Sequence, residues 1–133
     1  MRIERHFTKA GHDHTASVYD SIAFKRVDVV MKNPDGSAVF EARGTELPEH
    51  WSQVAGDVLA QKYFRKAGIA VALKKVEEAT VPSWLWRHVP DETVLDQLAP
   101  EARFGGETSA KQVFDRLAGA WTYWGWKGGY FDK

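Results

Sequence analysis

The chain has 133 residues, with 18 Lys+Arg balanced by 18 Asp+Glu, no cysteine, and six Trp, four Tyr and seven Phe. That length suits one domain, since a single core serves roughly 100–200 residues, and zero net charge speaks against nucleic-acid and anionic-membrane partners. Without cysteine, these residues contain no disulfide, thiolate metal site, thiol nucleophile or thiyl radical. No apolar run approaches the roughly 18 residues of a membrane span, and the opening MRIERHFTKAGHDH lacks the apolar stretch of a secretory signal. Composition points to a soluble, cytoplasmic, single-domain protein that is unusually rich in Trp.

Residues 1–21 are polar, and Gly11, His12, Asp13 and His14 break any periodicity. They read as an extended arm, with a short strand over 2–7. The run 22–31 is rich in β-branched residues, as is 37–41, and KNPDGS lies between them. Asn33, Pro34 and Asp35 suit the first three positions of a type I turn, and Gly36 can close it with a bulge. These features predict a β-hairpin.

Pro48 then opens a predicted helix over about 49–67. Its apolar residues Trp51, Val54, Ala55, Val58, Leu59 and Tyr63 keep helical spacing. Gly68 stops it, after Lys62, Arg65 and Lys66 have complemented the carbonyl end. Shorter helical pieces are expected over 72–78, over one turn at 83–89 capped by Ser83, and over 91–98 between Pro90 and Pro100. The stretch EARFGGE reads as loop. Ser109 with Gln112 matches a capping box, and Val113, Phe114, Leu117, Ala118, Trp121 and Trp124 extend a helix over about 109–127, ended by Gly128 and Gly129. The fold class is therefore α+β: an N-terminal β-hairpin followed by several helices, two of them long.

Site chemistry is sparse. His12 and His14 would share one side of a strand and could hold a metal, but no third ligand lies at a motif spacing, so they read as a solvated loop. Lys62, Arg65, Lys66, Lys74 and Lys75 form a basic stretch that could meet phosphate; the plainer reading is a charged helix end cancelled by Glu77 and Glu78. Those two acids and Asp91/Glu92 read as solvated helix charges, without the apolar setting that acid–base work needs. Neither diglycine has the strand before it and the Lys or Ser/Thr after it that a phosphate loop requires. No residue is assigned a catalytic, cofactor-binding or metal-ligating role.

The tryptophans say more. Trp121, Trp124 and Trp126 crowd together with Tyr123 and Tyr130 nearby, and Trp84 and Trp86 bracket Leu85. Trp121 and Trp124 share a face with Phe114 and Leu117, while Tyr123 and Trp126 point elsewhere. A helix apolar on several sides is usually buried on several sides. Either these rings fill a Trp-heavy core, or some of them dock against another domain. A base-stacking platform lacks the basic groove it would need. The end of the sequence at Lys133, soon after this helix, favours docking.

Five strings carry a resemblance: NPDGSAVFE (33–41), PEHWSQVAGDVLAQKYFRKAG (48–68), VPSWLWR (81–87), RFGGET (103–108) and QVFDRLAGAWTYWGWKGGYFD (112–132). In order, they resemble the N-terminal region of the adenosylcobalamin-dependent (class II) ribonucleotide reductases. In that family this region precedes a ten-stranded α/β barrel, which houses the radical cysteine, the reducing cysteine pair, the substrate site and the cobalamin. None of those motifs stands in this sequence.

The resemblance implies an oxidoreductase, a ribonucleoside-diphosphate reductase for which di- and triphosphate substrates both stay open. It would make deoxyribonucleotides for DNA synthesis, with adenosylcobalamin in the full enzyme and none expected in this stretch. Residues 22–133 would be an inactive scaffold domain whose partners are the catalytic barrel and, in the full enzyme, the ribonucleotide substrate. The candidate docking residues are Trp121, Trp124, Trp126 and Tyr130, with Arg116 and Lys127 as polar company. One rival is a free-standing nucleotide- or RNA-binding module using the aromatic helix and the 62–75 basic stretch. Another is a separately encoded subunit that completes a split reductase.

Overall fold

The computed structural model describes residues 17–131. The strand expected over 2–7 and the His12/His14 pair lie outside the described residues. From Ser17 the chain makes two tight turns, with the Asp20 N–H on the Ser17 carbonyl and the Ile22 N–H on that of Tyr19. It then enters strand β1 (Phe24–Lys32), which pairs antiparallel with β2 (Ala38–Pro48).

The turn between them follows its residue chemistry. The Gly36 N–H donates to the Asn33 carbonyl at 2.9 Å, the Asn33 N–H to the Ser37 carbonyl at 2.8 Å, and Asp35 accepts from the Ser37 N–H at 2.9 Å. Gly36 has φ +86°, a conformation that costs any residue with a Cβ roughly 1–2 kcal/mol. Strand β2 runs well beyond the predicted 37–41, because its second half pairs with Phe24–Val27. Pro48 therefore closes a strand, opposite Phe24, instead of opening a helix.

Helix α1 spans Gln53–Lys62, shorter at both ends than the predicted 49–67. The Ser52 hydroxyl accepts from the Ala55 N–H at 3.2 Å and sets its start. Its end is set from outside: the Glu107 carboxylate takes the Arg65 N–H at 2.8 Å. That donor is then lost to the helix ladder well before Gly68.

The middle of the chain forms short strands where helical pieces and loop were expected. Residues 72–78 hold β4 (Leu73–Lys75), which pairs antiparallel with β5 (His88–Pro90). The turn at Ser83 is a single 3-10 turn, Ser83–Leu85, preceded by Pro82 and lacking a side-chain cap. Only one helical turn, α2 (Glu92–Leu95), occupies the predicted 91–98. The EARFGGE segment contributes β6 (Phe104–Gly105), paired with β3 (Ile69–Ala70). Apolar runs this short satisfy either period, so a strand partner elsewhere in the chain decides.

Helix α3 (Ala110–Lys127) carries the predicted capping box: Ser109 accepts from backbone N–H groups and the Gln112 side chain reaches back to the Ser109 N–H at 3.0 Å. Its start is bolted to β2 by the Glu46 N–H on the Thr108 carbonyl (2.9 Å) and the Ser109 hydroxyl on the Glu46 carboxylate (2.6 Å). The core lies between the hairpin, α1 and the first half of α3. Val29, Leu47, Leu59, Ala60, Phe64, Ala110 and Val113 are buried there, with Trp51, Phe114 and Leu117 packed against them. The α+β class stands, with three two-stranded sheets and two longer helices among the described residues.

Leu47 is 2% exposed and its Cδ1 fills the space beside Gly56. Leu47→Ala is expected to lower the urea-unfolding free energy by about 2–5 kcal/mol. Val54→Ala, at a site 71% exposed, should stay within about 0.5 kcal/mol of the parent.

Candidate docking surface on the C-terminal helix

Helix α3 has one apolar row that meets two environments. In its first half Ala110 and Val113 are buried, and Phe114 and Leu117 lie on the core, with Phe114 edge-to-face on Trp51 at 6.0 Å. Trp121 and Trp124 continue the row at the same spacing, beyond the reach of the hairpin and α1. Each is 64% exposed.

The other side of this second half is covered by the chain's own residues 78–87. The Tyr123 hydroxyl donates to the Glu78 carboxylate at 2.9 Å, Arg87 Nε donates to it at 2.8 Å, and Lys127 Nζ lies 3.6 Å from it. Trp126 Nε1 donates to the Thr80 carbonyl at 2.7 Å, and Trp86 Nε1 to the Val81 carbonyl at 2.9 Å. Indoles suit this work, since each buries a large apolar body while its single N–H finds an acceptor. Glu78 is thus no solvated helix charge. It lies on no helix, its side chain is only 15% exposed, and the hydrogen bond from Arg87, then that from Tyr123, holds its carboxyl below the usual range against the opposing effect of burial.

A second carboxylate sets where α3 sits. Arg116 donates to Glu107 through Nε at 2.9 Å and through its terminal nitrogen at 3.0 Å, and also reaches the Tyr63 carbonyl at 3.0 Å. The Glu107 side chain is 4% exposed. Burial alone would raise its carboxyl, but the Arg116 pair and the Arg65 N–H outweigh that and hold it below the usual carboxylate value.

The six predicted docking residues therefore separate. Trp121 and Trp124 lie on the open face. Trp126 and Lys127 bind the 78–87 segment, and Arg116 binds Glu107. Tyr130 lies past the helix end, 66% exposed, with its ring against Gly128. Nothing in the sequence singles out Glu107, and Glu78 reads there as a solvated charge, because their side-chain partners lie nine residues or more away and no local spacing marks them.

The basic stretch is split: Lys62 ends α1, Lys74 and Lys75 lie on β4, and Lys66 donates to the Ala60 carbonyl with its ammonium 4.0 Å from the Phe40 ring centroid. Among the described residues, no group of three His, Cys, Asp or Glu could hold a metal ion.

A carboxyl held below its unfolded value of about 4.3 adds stability that is complete above that value and is lost as pH falls through the folded value. Glu107→Gln is expected to cost about 1–3 kcal/mol at neutral pH. In urea titrations across pH, the gap to the parent should close below about pH 4. A gap that persists undiminished in acid would contradict this assignment.

The family of class II vitamin B12-dependent ribonucleotide reductases matches residues 25–133. The vitamin B12-dependent ribonucleotide reductase of Bradyrhizobium diazoefficiens is 61% identical over all 133 residues, which cover 10% of its length. That of Agrobacterium fabrum is 59% identical over 132 residues, 99% of this chain and 10% of its own. That of Streptomyces coelicolor is 47% identical over 68 residues, 50% of this chain and 7% of its own. The chain thus spans about a tenth of the length of the first two of these curated relatives. Matched along nearly its whole length, the chain belongs to the class II vitamin B12-dependent ribonucleotide reductase family, as its N-terminal domain.

Proposed function

We propose that residues 22–133 act as a non-catalytic scaffold domain that docks on the catalytic barrel of the same enzyme. The complete polypeptide, an adenosylcobalamin-dependent oxidoreductase of the cytoplasm, reduces ribonucleotides to deoxyribonucleotides for DNA synthesis. The observation that carries this reading is the row on α3. Its first half is core, and its second half ends in two indoles exposed on the same line. Covering them would contribute about 1.5–3 kcal/mol for each ring, enough to fasten one domain to another in a single polypeptide.

The described residues do not fit adenosylcobalamin. Every buried side-chain polar atom among them already has a partner. Two surface hollows, one beside Trp126 at Ala79–Pro82 and one at Ser21–Ala23 with Glu49 and His50, are open and shallow. No step of the reduction is assigned to these residues, which also contain no thiol. Among the described residues no helix is long and apolar enough to cross a membrane.

In the complete reductase, Trp121→Ala combined with Trp124→Ala is expected to lower deoxyribonucleotide formation roughly ten-fold or more. Residues 1–133 alone, given adenosylcobalamin, a dithiol and ribonucleotides, should form none. Turnover by that chain would sink the scaffold reading.

A further inference from the structure

Helix α3 ends in a reversal. Gly129 takes φ +70°, its N–H donates to the Trp126 carbonyl at 3.1 Å, and the Tyr130 N–H donates to the Gly125 carbonyl at 3.0 Å. This pair of bonds, with a left-handed residue just past the helix, is the Schellman arrangement, which turns the chain away from the helix axis. The next residue has already come back. The Phe131 ring lies so close over Gly125 that a Cβ there would stand 2.5 Å from two of its ring carbons.

Gly125 borders the row of interest, since it stands four residues beyond Trp121. Phe131 therefore begins to cover the row from its C-terminal end, and Trp121 and Trp124 come next. Two further features suit a backbone running along it. Ala118 is exposed beside Trp121, and neither it nor Gly125 has a side chain that would hold a neighbouring strand away. From Lys127 back to Trp121 the helix is about 9 Å long, a span that roughly three extended residues cover.

We infer that the stretch of reductase polypeptide following this domain runs back along α3, antiparallel to it, and covers Trp121 and Trp124 in cis. The inference rests on the scaffold reading, because it takes the chain as the N-terminal domain of a longer polypeptide. The relatives supply that length, since this domain accounts for only 10% of theirs. The reversal at Gly129 supplies the direction. A second copy of the chain, or a remote part of the barrel, would have to reach a face that the following segment is already turning towards.

The test uses the complete enzyme. Hydroxyl-radical footprinting is expected to show Trp121 and Trp124 labelled several-fold more slowly than in the same protein unfolded in urea. A photoreactive benzoylphenylalanine in place of Trp124, in a second preparation, should cross-link to a peptide within roughly ten residues after Phe131. If the indoles are protected but the cross-link falls on a distant segment or on a second copy, the inference is overturned and the scaffold reading survives. If both indoles are labelled as fast as in urea, both fail.

Discussion

Glu107 accepts two hydrogen bonds from Arg116 and one from the Arg65 N–H, while its own N–H donates to the Arg65 carbonyl at 2.8 Å. One buried carboxylate thus joins the exit of α1 to the flank of α3. A charge so placed is tolerable only while its partners remain, since an uncompensated buried charge costs several kcal/mol. The constraint works in both directions. It ends α1 at Lys62, and it holds the loop before Ser109 where the Glu46 carboxylate can receive the Ser109 hydroxyl. With both ends of that loop fixed, the first half of α3 has one place to lie, against Leu47, Leu59 and Val29.

From that placement the character of α3 follows. Its apolar row is longer than the core that covers it, so Phe114 and Leu117 meet the hairpin and α1 while Trp121 and Trp124 pass beyond them. The other side of the helix there, with that side's neighbours, is held by Glu78, Thr80 and Val81 through Tyr123, Trp126, Trp86 and Lys127. A rigid helix with one side clamped and one side open presents its two indoles already oriented. Under the proposed docking, that orientation limits the conformational entropy lost when they are covered.

Features whose physics is local were legible in the sequence. The turn at Asn33–Ser37 and the capping box of Ser109 and Gln112 each need partners within a few residues, and each formed as those residues dictate. The ends of α1 and the small strands were not legible. Glu107 acts on Arg65 from 42 residues away, and the partner of Ile69 is Gly105. The open face divides in the same way. The spacing of Phe114, Leu117, Trp121 and Trp124 showed one row, but where its cover stops depends on the lengths of the elements packed on it. Arg116, Trp126 and Lys127 resembled polar and aromatic company for a partner, yet Glu107, Thr80 and Glu78 of the same chain already engage them.

The central claim is that α3 is shared, its first half completing this domain and its second half awaiting the rest of the reductase. Amide hydrogen exchange along α3, followed in the isolated domain and in the complete enzyme, tests that directly. In the isolated domain the amides of 124–127 should exchange by local opening while those of 114–118 open only with the whole domain. In the complete enzyme the 124–127 amides should slow by roughly ten-fold or more, about 1.4 kcal/mol. Equal rates for 124–127 in the two proteins would contradict the account, because they would mean that this half of the helix gains nothing from the rest of the enzyme.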